Sequence, residues 1–392
     1  MVSDASLQAR KNVGLGSTWS SRWRRTASTT RRRTRCCTKY CFRYWKKSRP
    51  LSDFAHLLDA HASAHPGMAA GLAVAHAGQD PQVWFAGPLR PGGAQPVAED
   101  ACWHIGSITK TFTATLAVLL SERGAVSLDA PIGPLLDGPD VHPDWQALTL
   151  RALLSHTSGL PPNTPVLAFL RPHHSRDPGE AAAVELARLW HRPIKGKRGR
   201  FDYSNLGFVL AGHVLARATG RPWRGLVKTE ICAPLGLSSL GLGPPCHPAS
   251  PWGQRRLLWW HDSIDPAKPG SDNPPWLDAA GRLHMTLRDL AGWGQAYLDA
   301  GLGKRGAIIS QDAACAMRHP GSGEAGIGWL VQRHEETGVT VVWHDGSNTM
   351  WRAILATVPA RGLVVALVQN RYEPAASDDL FKAVLTTALE QT

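Results

Sequence analysis

The chain has 392 residues and is 43% hydrophobic, enough for one large core or two coupled ones, and no window approaches the ~18 uninterrupted apolar residues that span a membrane. A formal net charge of +12 suggests an anionic partner, but residues 1–50 hold 14 Lys and Arg against one acid, Asp4, while positions 51–392 hold 29 against 30. Any electrostatic footprint for nucleic acid is therefore confined to the first 50 residues. Of seven cysteines, Cys36, Cys37 and Cys41 lie in that segment, and Cys102, Cys232, Cys246 and Cys315 are scattered without the spacing of a disulfide framework or zinc ribbon.

In chain order, residues 1–50 end in RRRTRCCTKYCFRYWKKSRP and show neither helical nor strand periodicity. Disorder is expected there. No apolar signal core is visible; the Arg- and Ser-rich composition resembles an organelle transit peptide, and a start codon assigned too far upstream explains the break near Leu51 equally well. Next come a helix at 51–64 and two hairpin-linked strands, MAAGLAVAHAG (68–78) and QVWFAG (82–87). The pattern then turns helical, with candidates at 107–123, 147–155, 179–190, 205–218, 223–231 and 286–299 between Pro- and Gly-rich loops. The pair His173-His174, with only Asp177 near it, reads as a surface loop rather than a metal site. Strands return at IGWLVQRH (327–334), GVTVVWH (338–344), WRAILATV (351–358) and LVVALVQN (363–370), before a final helix near 376–390. The economical fold is α+β within the broad α/β class: one antiparallel sheet built from both ends of the chain (about 51–106 and 300–392), flanked by helices, with a mainly helical part (about 107–299) inserted.

The stretch WHIGSITKTFTATLAVLLSERG (103–124) places Lys110 one turn after Ser107, on a helix whose Ile108, Phe112, Leu116, Leu119 and Leu120 trace an apolar face. Ser107 reads either as a helix cap with Lys110 snorkelling to water, or as a nucleophile with Lys110 as its base. Two later stretches bear on the choice: FDYSN (201–205), with Tyr203 and Asn205, and WHDGS (343–347), with His344, Gly346 and Ser347. Singly, Tyr203 and Asn205 could be turn and cap residues, His344 a strand-end surface residue and Ser155–Gly159 a helix stop. In order, S-x-x-K, Y-x-N and H-x-G resemble the serine hydrolases of the β-lactamase and penicillin-binding-protein superfamily, in particular class C β-lactamases, DD-peptidases and related carboxylesterases. LTLRALLSHTSGLPP (148–162), AAGRLHMTLRDLAGW (279–293) and HDGSNTMWRAILATVPARGLVVALVQN (344–370) are also similar, so the likeness covers about residues 51–390.

The resemblance implies a β-lactamase/transpeptidase-like fold and a Ser107 acyl-enzyme, with Lys110 and Tyr203 exchanging the protons and the choice of base left open. It implies Asn205 as an amide donor to Lys110 or to a substrate carbonyl. It also implies an oxyanion hole from the backbone N–H groups of Ser107 and Ser347, with Gly346 keeping the strand edge bare. No metal or organic cofactor is called for. The implied partner is a small ester, amide or peptide, with D-amino-acid peptides and β-lactams as alternatives, acted on outside the cytoplasm by a monomer or weak oligomer. His344 departs from the lysine usual in β-lactamases and DD-peptidases; a histidine is mostly neutral at pH 7 and lacks a fixed charge for a substrate carboxylate. Two other classes compete: nucleic-acid binding through the basic segment, with Tyr40, Tyr44 and Trp45 as stacking partners, and a catalytically silent ligand-binding domain on the same fold.

Overall fold

Alternation of period two decides the layering. In the strand Leu363–Gln369, Leu363, Val365 and Leu367 enter one apolar cluster while Val364, Ala366 and Val368 enter another, so the strand is buried on both faces. The computed structural model describes residues 52–136, 140–164, 177–258, 260–321 and 325–391; the basic segment 1–50 and the His173-His174 pair lie outside the described residues. The strands are β1 (Ala70–His76), β2 (Gln82–Ala86), β3 (Cys102–His104), β4 (Gly241–Leu242), β5 (Gly253–Leu257), β6 (Trp260–Ile264), β7 (Leu283–Thr286), β8 (Leu330–Arg333), β9 (Thr340–Ser347), β10 (Arg352–Val358) and β11 (Leu363–Gln369). Six of them form one antiparallel sheet in the order β2-β1-β11-β10-β9-β8. Strands from the two ends of the chain meet at β1–β11, where Ala70 faces Gln369 and His76 faces Leu363.

Helices α1 (Ser52–Ala64) and, at the C terminus, Pro374–Glu390 pack on the outer face through Phe54, Leu58, Leu380, Phe381, Val384 and Leu385. The inner face carries the larger core, which includes α2 (Thr109–Glu122), α3 (Leu150–Leu154), α4 (Pro178–Ala187), α5 (Asn205–Thr219) and α6 (Leu287–Gly301). Among the described residues no helix is long and apolar enough to cross a membrane, and no group of three or more His, Cys, Asp or Glu could hold a metal.

Three sequence expectations shift. The candidate helix 223–231 is α-helical only over Trp223–Leu226 and continues as a π-helical turn, Val227–Cys232. The candidate 147–155 shrinks to α3, capped by Thr149, whose hydroxyl accepts from Ala152 N–H. The stretch read as mainly helical also holds β4 and β7, which join β3 in a small sheet, and a β5–β6 hairpin. β3 and β4 have three and two residues, too short for an alternation to register.

Candidate active site

Ser107 sits in a single 3-10 turn, Gly106–Ile108, between β3 and α2. From Trp103 to Leu120 it is the one residue that is not buried. α2 is buried all round rather than on one face, and three of its four threonines satisfy their hydroxyls inside the core. Thr109 and Thr111 donate back to the carbonyls of Gly106 and Ile108, Thr113 donates to the Ala279 carbonyl, and Thr111 accepts from Trp293 Nε1. Ser107 does not cap the helix: the cap position is Ile108, with no side-chain hydrogen bond. Nor does Lys110 snorkel, since it is 0% exposed.

The Lys110 ammonium nitrogen has three partners: Ser107 Oγ at 3.0 Å, Asn205 Oδ1 at 2.6 Å and the Ala280 carbonyl at 2.6 Å. The last two can only accept. A neutral amine that donates to both directs its lone pair at Ser107 Oγ, where it can take the hydroxyl proton. Burial drives the Lys110 pKa well below its ordinary value and so favours that neutral form, although the Asp345 carboxylate pulls the other way. Tyr203 completes the group. Its ring lies 5.0 Å from Lys110 Nζ and its hydroxyl hydrogen-bonds with Ser107; burial raises its pKa, so the phenol keeps its proton at neutral pH.

Asn205 opens α5, whose cap is Ser204, the hydroxyl accepting from Gly207 N–H. The Asn205 amide is oriented at both ends, since its Nδ2 donates to Asn163 Oδ1 at 2.7 Å. The SHTSGLP turn builds this platform. His156, at φ 58°, accepts from Ser204 N–H through Nδ1 at 2.9 Å and stacks on Tyr203 with ring centroids 4.4 Å apart. Pro161 and Pro162 take hydrogen bonds from Ser204 Oγ and Asn205 N–H.

The third stretch ends β9. β10 pairs with one edge of β9 through to Ser347, whereas β8 covers the other only as far as Trp343, leaving His344 to Ser347 without a strand partner there among the described residues. This bare edge abuts the Ser107 turn. A Cβ on Gly346 would lie 2.0 Å from the Ile105 carbonyl oxygen and 2.4 Å from Ser107 N; one on Gly106, at φ +51°, would lie 2.1 Å from Ser347 N. Only glycine permits that approach. His344 is 2% exposed and donates from Nδ1 to the Asp345 carbonyl at 2.6 Å, which leaves Nε2 as an acceptor. Burial, with Lys110 nearby, pushes its pKa down to about 4, so it is neutral at pH 7 and buried, not a strand-end surface residue.

The structure thus brings Ser107, Lys110, Tyr203, Asn205, His344, Gly346 and Ser347 to one place. The sequence alone did not single out Asn163, Ala280 or His156. The first and last lie in the SHTSGLPP-N stretch and Ala280 in AAGRLH, but a backbone carbonyl and a stacking contact leave no mark on residue type.

This fold is shared with the octameric penicillin-binding protein homologue from Pyrococcus abyssi (TM-score 0.72, 22% identity, covering 87% of this chain and 78% of that one). It is shared also with the D-amino acid amidase from Ochrobactrum anthropi SV3 (TM-score 0.69, 25% identity, 86% and 98%). A fold of this kind with a lysine buried under an accessible serine defines a serine hydrolase of the β-lactamase and penicillin-binding-protein superfamily. Within it, the chain belongs to the beta-lactamase family, whose profile matches residues 54–388. Its curated relatives include the D-alanyl-D-alanine-carboxypeptidase/endopeptidase AmpH of Escherichia coli K12, 27% identical over 299 residues (73% of this chain, 75% of that protein). Penicillin-binding protein 4 of Amycolatopsis lactamdurans is 27% identical over 334 residues (81% and 85%).

Proposed function

We propose that the protein hydrolyses small neutral esters or amides through an acyl-enzyme on Ser107. The observation that carries this reading is the threefold contact of the buried Lys110 amine, two acceptors and Ser107 Oγ. Ser107 Oγ attacks the carbonyl carbon as its proton passes to Lys110 Nζ. The oxyanion is held by the Ser107 and Ser347 N–H groups, whose segments are in contact. As the C–O or C–N bond breaks, the leaving group takes a proton from Tyr203, which is restored from Lys110. Water then attacks the acyl carbon by the same route and frees Ser107. The opposite shifts of the two groups, Lys110 down and Tyr203 up, support lysine as base and tyrosine as donor.

Substrate class turns on His344. A neutral histidine offers no fixed cation, whereas a charge-assisted bond to a carboxylate is worth about 1.5–3 kcal/mol, roughly 10- to 150-fold. Amides of D-amino acids are a second reading, supported by the amidase among the solved neighbours. The test compares kcat/KM at pH 7 for p-nitrophenyl butyrate, D-phenylalanine amide and one cephalosporin in the native enzyme and in His344→Lys. A substrate without a carboxylate should lead in the native enzyme, and the substitution should shift the ratio toward the cephalosporin. A native preference for the cephalosporin, or equal loss on all substrates, overturns this assignment of substrate class.

A further inference from the structure

One buried carboxylate beside the site has no part in the proton transfers. Asp272, in the loop after β6, has a side chain only 4% exposed. Its Oδ1 lies 2.9 Å from His104 Nε2 and accepts from Asn348 Nδ2 at 2.9 Å; its Oδ2 takes Arg282 Nε at 3.2 Å. Burial pushes its pKa up, yet these partners outweigh that and hold it below the usual carboxylate value.

Beside the Asn273 N–H, which Oδ1 also accepts at 2.7 Å, the carboxylate has three side-chain partners, and two of them lead to the proposed oxyanion hole. His104, at the end of β3, accepts from Gly106 N–H through Nδ1 at 3.1 Å. Its ring proton is therefore on Nε2, the nitrogen 2.9 Å from Asp272 Oδ1, and the ring fixes the peptide just before Ser107. Asn348 directly follows Ser347, and its Oδ1 accepts the N–H groups of Met350 and Trp351 at 3.2 Å each, so its side chain closes the turn that ends β9. The third arm, Arg282, follows the Ala280–Gly281 segment whose Ala280 carbonyl receives Lys110. The hole amides come from two elements that no covalent link or strand ladder holds in register.

We propose that Asp272 is a positioning residue that sets the spacing of the Ser107 and Ser347 amides by gripping His104 on one side and Asn348 on the other. This rests on the oxyanion hole proposed above. Preorganised donors act only within a few tenths of an ångström of the developing oxyanion, and a misplacement of about 1 Å can cost about 10²-fold. Asp272→Ala removes both carboxylate oxygens and so releases His104 and Asn348 together, whereas an asparagine could keep both by turning its NH2 toward Arg282.

The experiment uses the full chain, p-nitrophenyl butyrate as substrate and phenylboronic acid as a tetrahedral mimic bonded to Ser107. Asp272→Ala should lower kcat about 10- to 100-fold with KM within about twofold, and weaken phenylboronic acid by a similar factor. A merely structural role would lower the melting temperature or the active fraction without weakening the mimic in step with kcat. His104→Gln should cost about tenfold alone and little more in the Asp272→Ala background, because the grip on that arm is already lost. If Asp272→Ala does not fold, the same pair of measurements on Asn348→Ser, which releases one arm, decides the question. Unchanged boronate affinity, a loss confined to KM, or fully multiplicative losses overturn the role of Asp272 while leaving Ser107 in place. A native enzyme that neither turns over the ester nor binds the boronate removes the Ser107 reading, and this one with it.

Discussion

Lys110 explains its own burial by a count of hydrogen bonds. Two acceptors and one hydroxyl surround Nζ, so the neutral amine is fully satisfied while its lone pair meets Ser107. Ser107→Ala should abolish ester turnover, and Lys110→Ala and Tyr203→Phe should each lower kcat by about 10³-fold or more, with the double variant little worse than the worse single, since these groups act as one unit. Additive losses in steady-state kinetics would contradict a shared role. His344 carries a separate expectation about pH. Its pKa falls from 6.5 in the unfolded chain to about 4 in the native one, so above 6.5 it costs nothing. As pH drops from 6.5 toward 4 the unfolded chain binds the proton and the native one does not, and stability declines by about 3 kcal/mol. Asp278 and Asp378, pushed up to about 6, oppose this by taking protons in the native state as pH falls. The difference between native protein and His344→Gln isolates the histidine: its urea midpoint should lose less on going from pH 7 to pH 4 than the native one. Parallel pH profiles would contradict the burial-driven shift.

At the scale of elements, the site is the meeting of a turn and a strand edge that glycine alone allows. Gly346→Ala should force β9 away from the Ser107 turn, lowering kcat/KM about 100-fold or more and stability by about 1–3 kcal/mol. Gly225→Ala, in the short helix Trp223–Leu226 with open space at its Cβ, should be neutral or stabilising by up to about 1 kcal/mol. Activity assays and thermal melts on the two variants make the comparison. The same scale shows what was legible. The C-terminal strands were readable because their apolar alternation runs over seven or eight residues, and α5 and α6 because caps and apolar repeats agree. α2 was readable as a helix but not as a fully buried one: its threonines look polar, and their use as donors to nearby carbonyls depends on partners from distant segments. His104 and Asp272 left no signal, since 168 residues separate them and neither belongs to a motif.

At the scale of the whole molecule, the sheet joins the two ends of the matched region 54–388, with β1 and β11 pairing over seven residues. Residues 1–50 precede that match and carry no apolar periodicity. Their removal should leave the melting temperature and ester kcat/KM within error of the full chain, as measured by calorimetry and steady-state assay; a large drop in either would show that they belong to the folded unit. The charge of the chain belongs to those residues, which is why the +12 total says little about a near-neutral catalytic domain.

The most direct test of the central claim is mass spectrometry of the intact protein and its peptides after exposure to a fluorophosphonate at neutral pH. The expected result is a single covalent adduct on Ser107, formed in the native protein, much slower in Lys110→Ala and absent in Ser107→Ala. An adduct on any other residue, or labelling that proceeds equally well without Lys110, would contradict Ser107 as a nucleophile activated by the buried lysine.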